Sequence, residues 1–159
     1  MNDDDDGGRN ETPQERADRK WGDLLQELRV MQTGVQLLAG FLLTLPFQQK
    51  FADLDEFQRD FYLVLVVLAG LTTALVLTPV AAHRKLSGRQ VKERLVRTAG
   101  VLASTALGAV SLLVVGTTTF VFDVVVDRTW AAVVGAAMAV VLFGLLVLLP
   151  RRLITKDLI

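Results

Sequence analysis

Four long stretches of the chain contain no charged residue. They run over residues 30–49, 61–82, 98–122 and 129–150. About 20 apolar residues in a helix cross the hydrocarbon core of a bilayer, because a helix rises about 1.5 Å per residue and the core is about 30 Å thick. The stretches therefore predict an all-α protein, a four-helix transmembrane bundle over residues 30–150.

The residues ahead of the first stretch divide into two predicted segments. Residues 1–12 are polar and begin with an acidic run, and they predict a disordered tail because they offer little apolar surface to bury. Residues 13–29 predict an amphipathic helix, since Trp21, Leu24 and Leu28 recur at helical spacing. We expect this helix to lie in the headgroup region, or to pack on a partner or on its own protomer.

Three places in the chain show the capping-box pattern, in which a polar residue is followed three positions later by Glu or Gln. The pairs are Thr12 with Glu15, Asp53 with Glu56, and Ser87 with Gln90. The second pair predicts that the helix of span two begins near Leu54. The connector over residues 123–128 is so short that spans three and four are predicted to form a tight antiparallel hairpin.

The basic residues predict the orientation of the spans. Of the 17 Lys and Arg residues, all except Lys50, Arg59 and Arg128 lie in the N-terminal segment, the 83–97 connector or the tail at 151–159. Short loops rich in Lys and Arg face the cytoplasm. We therefore expect a multi-pass protein of the plasma membrane with both termini in the cytoplasm, where its basic segments attract anionic lipid.

The absence of ionisable residues from the four stretches narrows the expected function. Ion-coupled transporters usually hold a charged group at membrane depth, because a buried charge is costly and is retained for function. The chain has no cysteine and one histidine, which disfavours nucleophile–base catalysis and a site with several metal ligands. We expect a non-enzymatic protein with no catalytic residue, no metal and no cofactor. The net charge of zero predicts no nucleic-acid partner.

Seven polar residues within the stretches are candidates for lining a pore or for contacts between helices. They are Gln32, Gln36, Thr72, Thr73, Thr117, Thr118 and Thr119. Hydrogen bonds between membrane helices are widespread, and pores can select with hydroxyls and amides, so both interpretations stay open. Asp123 and Asp127 flank the outer ends of spans three and four. They are candidates for a cation-attracting rim, and Asp127 is also a candidate N-cap.

Small residues at intervals of four predict close helix contacts in spans three and four. They are Gly100, Ser104 and Gly108 in span three, and Ala131, Gly135 and Ala139 in span four. In the simplest arrangement the two small-residue faces meet each other within the hairpin. In the alternative, one of them forms the seam of a homo-oligomer.

The stretch from Glu11 to Phe51, and above all the segment DLLQELRVMQTGVQ over residues 23–36, resembles a family of small four-span membrane proteins from actinobacteria. That family is catalogued as a domain of unknown function, and some members carry an automatic sodium/proton antiporter label. The resemblance implies a four-span fold and supplies no functional residues.

Two functions fit these patterns. The first is a non-enzymatic membrane protein of interaction, assembly or regulation, which binds further copies of itself or another membrane protein. The amphipathic segment, the basic connectors and the small-residue faces favour it. The second is a small oligomeric channel or transporter that passes ions or protons along the candidate polar residues.

Overall fold

The computed structural model of the chain describes residues 12–86 and 92–156. Its long helices are α1 (Pro13–Thr44), α2 (Glu56–Leu86), α3 (Lys92–Val125) and α4 (Arg128–Phe143). Two 3-10 turns, Leu45–Phe47 and Gln49–Asp53, join α1 to α2. α4 continues through a π-helical turn, Gly144–Leu148, into the short helix α5 (Leu149–Lys156). The predicted disordered tail up to residue 11 and the predicted helix start at Ser87 lie outside the described residues.

Four helical segments are long and apolar enough to cross a membrane, and the fourth comprises α4, the π-helical turn and the start of α5. The candidate spans are Trp21–Phe47, Glu56–Pro79, Ala99–Val125 and Arg128–Arg152. Residues 12–86 and 92–156 contain no strand. The predicted all-α, four-helix class is confirmed.

α1 begins at the predicted capping box and continues without a break into the first span. The Thr12 hydroxyl accepts from the Glu15 N–H (3.3 Å), and the Thr12 N–H donates to the Glu15 carboxylate (2.8 Å). The hydrogen bonds from Thr12, first that of its N–H, lower the pKa of Glu15 because they favour its charged form. Farther along, Trp21 is buried, and Leu28 packs with Val76 and Ala103 of the neighbouring helices. This part of the amphipathic segment packs on its own protomer.

α2 begins two residues later than predicted. The reciprocal bonds of a capping box form between Asp55 and Gln58: the Gln58 N–H donates to Asp55 Oδ1 (2.7 Å), and the Asp55 N–H donates to Gln58 Oε1 (3.1 Å). Leu54 is extended and buried in the core, so the helix starts only after it. The predicted cap at Asp53 is wrong, because that residue belongs to the preceding 3-10 turn.

The buried apolar side chains form two clusters, and α1, α2 and α3 supply nearly all of them. One cluster includes Leu42, Leu65 and Leu113, and it lies toward the end of the bundle where α3 joins α4. The other includes Leu28 and Val76, and it lies toward the opposite end. We call these the Asp123 end and the Arg152 end. Among the described residues, α4 contributes to neither cluster.

α4 packs closely against α3 at Gly135. A β-carbon added there would collide with the hydroxyl of Thr119, which donates to the Val115 carbonyl (2.8 Å). Gly116 permits a similar approach between α3 and α2, since a β-carbon there would lie 2.5 Å from Leu65 Cδ2. These two glycines therefore set the distance of α3 from its neighbours.

We expect Gly135→Val to lower the free energy of unfolding by about 1–3 kcal/mol, because overpacking forces neighbouring atoms to move. The Thr119 hydroxyl must also leave its carbonyl. Ala136, the next residue, is exposed. Ala136→Val therefore adds a valine away from α3 and serves as the control. Reversible unfolding in detergent micelles compares the two variants, and equal losses would contradict the packing role of Gly135.

Candidate functional site

Arg128 joins three helices in a polar cluster at the Asp123 end. Its Nε donates to Asp123 Oδ1 (3.2 Å), and its Nη2 donates to Asp55 Oδ2 (2.9 Å). The guanidinium carbon lies 4.2 Å from the centre of the Phe57 ring, a cation–π contact. Gln58 Nε2 adds a hydrogen bond to the Asp123 carbonyl (3.2 Å). The start of α2, the end of α3 and the start of α4 are thus held together.

Asp123 is the buried member of the cluster. Its side chain is 4% exposed, whereas those of Asp55 and Arg128 are 55% and 56% exposed. Its Oδ2 is buried with no hydrogen-bond partner, so Arg128 compensates the carboxylate through Oδ1. The sequence predicts Asp123 as part of a cation-attracting rim. In the structure, its carboxylate binds the guanidinium of Arg128.

Asp127 caps α4. Its Oδ1 accepts from the N–H groups of Thr129 (2.8 Å) and Trp130 (2.9 Å). The predicted N-cap role is confirmed. Because these bonds satisfy the first N–H groups of the helix, the carboxylate of Asp127 already has partners within its own element.

The seven polar candidates in the spans lie in different surroundings. The hydroxyls of Thr72, Thr73 and Thr119 each donate to the carbonyl four residues earlier in their own helix. Gln36 is exposed, Gln32 and Thr118 are half-buried, and Thr117 is buried with its hydroxyl unpaired. None of the hydrogen bonds of the described residues joins one of these side chains to another helix.

A groove separates α3 from α4 toward the Arg152 end. It has a volume of about 490 Å³. Its α3 wall includes Ser104, Gly108, Ser111 and Val115, and its α4 wall includes Ala139, Phe143 and Val147. The two serine hydroxyls donate to carbonyls of their own helix, at 3.0 Å and 2.8 Å. The groove therefore presents an apolar lining with its polar groups already satisfied.

The two predicted small-residue faces do not meet each other. Ala131 and Gly135 are buried, but Gly135 meets Thr119, which is not a member of the α3 face. A β-carbon added at Gly100 or Gly108 would have nothing within 4 Å. The prediction that the faces meet within the hairpin is wrong, because the antiparallel register places Thr119, eleven residues beyond Gly108, opposite Gly135.

Arg128 is absent from the predicted site residues, although the sequence contains a signal for it. It is the one basic residue in the 123–128 connector, at the end of the bundle that is otherwise poor in Lys and Arg. The groove residues Ser111 and Phe143 are also absent from the prediction, and a helix pattern contains no signal for a groove between two helices.

A family model described as a family of unknown function, DUF6328, matches residues 10–150. The chain belongs to the DUF6328 family. No curated protein and no solved structure matches the chain. This member of DUF6328 has four helices apolar enough to span a membrane, and both the polar cluster and the groove lie within the matched residues.

We expect Arg128→Gln to lower the free energy of unfolding by more than Asp55→Asn does, since it leaves the buried charge of Asp123 without a partner. The same change in an Asp123→Asn background should cost much less, because no buried charge remains. Asp55→Asn removes only the exposed pair and should cost about 1 kcal/mol or less. A double-mutant cycle in detergent measures these values, and equal costs in both backgrounds would contradict the coupling.

Proposed function

We propose that this DUF6328 protein works without catalysis, as an interaction protein of the plasma membrane whose fourth span binds a transmembrane helix of another membrane protein. The observation that carries the proposal is the one-sided packing of α4. Apart from Arg128 in its first turn, which reaches Asp55 and Phe57, α4 packs against only α3 among the described long helices. In the most apolar part of its span, 6% of the residues are buried. The corresponding shares in the other three spans are 17–28%.

The outer face of α4 consists of Val133, Ala137, Val140 and Gly144. These residues recur at intervals of four, three and four, so they lie on one side of the helix. Val133 is 53% exposed and Val140 is 72% exposed. Lipid tails are as apolar as these side chains, so apolarity alone does not drive helix association. Small residues such as Ala137 and Gly144 favour it, because they let another backbone approach closely.

The outer face ends at the π-helical turn that Gly144 begins. A β-carbon added at Gly144 would have no atom within 4 Å, so the turn is open on this side. π-helical turns are rare and are frequent at functional sites. The turn therefore supports a binding role for this part of α4.

The orientation is part of the proposal. In the sequence, the basic N-terminal segment, the 83–97 connector and Arg152 flank the span ends that the positive-inside rule assigns to the cytoplasm. At the other end, Arg128 is paired with Asp123 and Asp55, so its charge is compensated. The short outer connectors therefore do not oppose this assignment.

A photoreactive benzoylphenylalanine tests the partner site. In place of Val140, it should form one specific adduct with a second membrane protein in cells, because that position faces the proposed helix. In place of Leu37 on α1, it should not. Val140 and Leu37 are both 72% exposed, so they form a matched pair.

Two alanine variants complete that experiment. Ala137→Leu should abolish the adduct from Val140, because the larger side chain keeps the two helices apart. Ala74→Leu on the exposed side of α2 should leave the adduct unchanged. An adduct with the mass of two protomers would contradict the proposed partner class, as would equal adducts from Val140 and Leu37.

The channel interpretation has less support in the structure. The hydroxyls of Thr72, Thr73 and Thr119 are satisfied within their own helices. We expect purified protein in liposomes to pass neither Na⁺ nor H⁺, including by Na⁺/H⁺ exchange, the automatic label of some proteins that the chain resembles. A pH-sensitive dye inside the vesicles measures H⁺ flux and Na⁺/H⁺ exchange, and ²²Na⁺ uptake measures the flux of Na⁺ itself. Flux above that of empty liposomes, reduced by Thr72→Val, would favour a channel instead.

A further inference from the structure

Gln36 places a primary amide on the outer surface of the first span. Its side chain is exposed and takes part in none of the hydrogen bonds within residues 12–86 and 92–156. Gln36 follows Arg29, the last charged residue before the span, by about 10 Å along the helix axis. Its side chain is shorter than those of Lys and Arg, which reach back to the headgroups. In a membrane the amide therefore faces hydrocarbon, where an unpaired polar group is costly.

Exposed residues before and after Gln36 form a stripe along α1. We call this stripe the α1 seam, and its members are Thr33, Gln36, Gly40 and Leu43. Their alternating intervals of three and four are the spacing that keeps two supercoiled helices in contact. A β-carbon added at Gly40 would have nothing within 4 Å, so no contact inside the protomer requires glycine there. The Thr33 hydroxyl donates to the Arg29 carbonyl (3.1 Å), so the amide of Gln36 is the polar group of the seam that lacks a partner among the described residues.

Hydrogen-bond complementarity identifies the partner of the seam as a second copy of the chain. A primary amide carries both donors and an acceptor, so two identical amides can satisfy each other. Copies that insert in the same orientation have parallel α1 helices, and a two-fold axis along the membrane normal places Gln36 opposite its own copy. Gly40, one turn later, lets the two backbones approach closely. A polar residue in such a seam also fixes the register and the number of helices.

The charge of Arg29 limits the seam toward the headgroups. Arg29 is exposed one turn before Thr33, and two copies of it at a two-fold axis would repel each other. Its long side chain extends into the headgroup region, where water and salt screen the repulsion. The seam therefore begins at Thr33, inside the uncharged stretch.

We infer that the first span forms a parallel homodimer through the α1 seam, with the two Gln36 amides hydrogen-bonded across the two-fold axis. The inference does not depend on the partner proposed for α4, because α4 does not contact α1 among the described residues. Leu37 lies beside the seam, and an adduct from Leu37 with a second copy would have the mass of two protomers. The adduct expected from Val140 contains a different protein, so the masses distinguish the two contacts.

Single cysteines test the seam, because the chain has no cysteine of its own. When membranes that contain the full-length protein are oxidised with copper phenanthroline, Thr33→Cys and Leu43→Cys should each give a disulfide-linked dimer, since helices packed at a two-fold axis bring these positions within disulfide range. Val30→Cys and Phe41→Cys are the controls, because both positions are exposed on another side of α1. Their dimer yield should be at least fivefold lower. Equal yields from seam and control positions, or no dimer from the seam positions, would overturn the inference.

Gln36→Leu tests the amide. It should weaken dimerisation in liposomes about tenfold, the factor that corresponds to the loss of interhelical hydrogen bonds in a membrane. Energy transfer between labelled protomers at decreasing protein-to-lipid ratio measures the dimer. Gln48→Leu replaces an exposed glutamine in the connector after α1 and should leave dimerisation unchanged. Native dimerisation in Gln36→Leu, or equal losses in both variants, would overturn the role of the amide.

Gly40→Leu tests the close approach of the two backbones and should remove the dimer in the same assay. Gly70→Leu on α2 is the matched control and should keep the dimer, since at both glycines an added β-carbon would have nothing within 4 Å. A native dimer in Gly40→Leu, or equal losses in both variants, would contradict the seam. Ala137→Leu should keep the dimer, and Gly40→Leu should keep the adduct from Val140, so this inference and the proposed function fail separately.

Discussion

The contacts of α3 with all three other long helices are the constraint on which the bundle depends. Among the described residues, α3 packs against α1, α2 and α4, whereas α4 does not contact α1 and reaches α2 only through Arg128. Lipid is as apolar as these helices, so the contacts rely on close packing rather than on the removal of surface from water. Gly116 toward α2 and Gly135 toward α4 supply that closeness. A substitution that alters the packing of α3 therefore affects its contacts with all three other long helices.

The position of α4 follows from two attachments, both in its first half. Arg128 ties the start of α4 to Asp123 and Asp55, and Gly135 holds the helix against Thr119 about two turns later. Beyond that point a groove lies between α3 and α4. The first half of α4 is thus held by the polar cluster and by Gly135, whereas its second half borders the groove.

The sequence predicts those features that depend on neighbouring residues or on a long uniform run. The four uncharged runs predict the spans, and local bonds explain why Thr12 and Asp127 are found as caps where predicted. The prediction of a cap at Asp53 is wrong, because the start of α2 depends on the burial of Leu54 in the core. That burial depends on tertiary contacts, which a local pattern does not contain. Spacing also places Gly108 on a face of α3, but it contains no information on whether another helix lies opposite.

The proposed partner site follows from how α4 is packed. The buried residues of α4, Ala131 and Gly135, both lie in its first half. Atoms that line an unfilled gap lose dispersion contacts, so a helix seated against the second half of α4 would supply contacts that α3 does not.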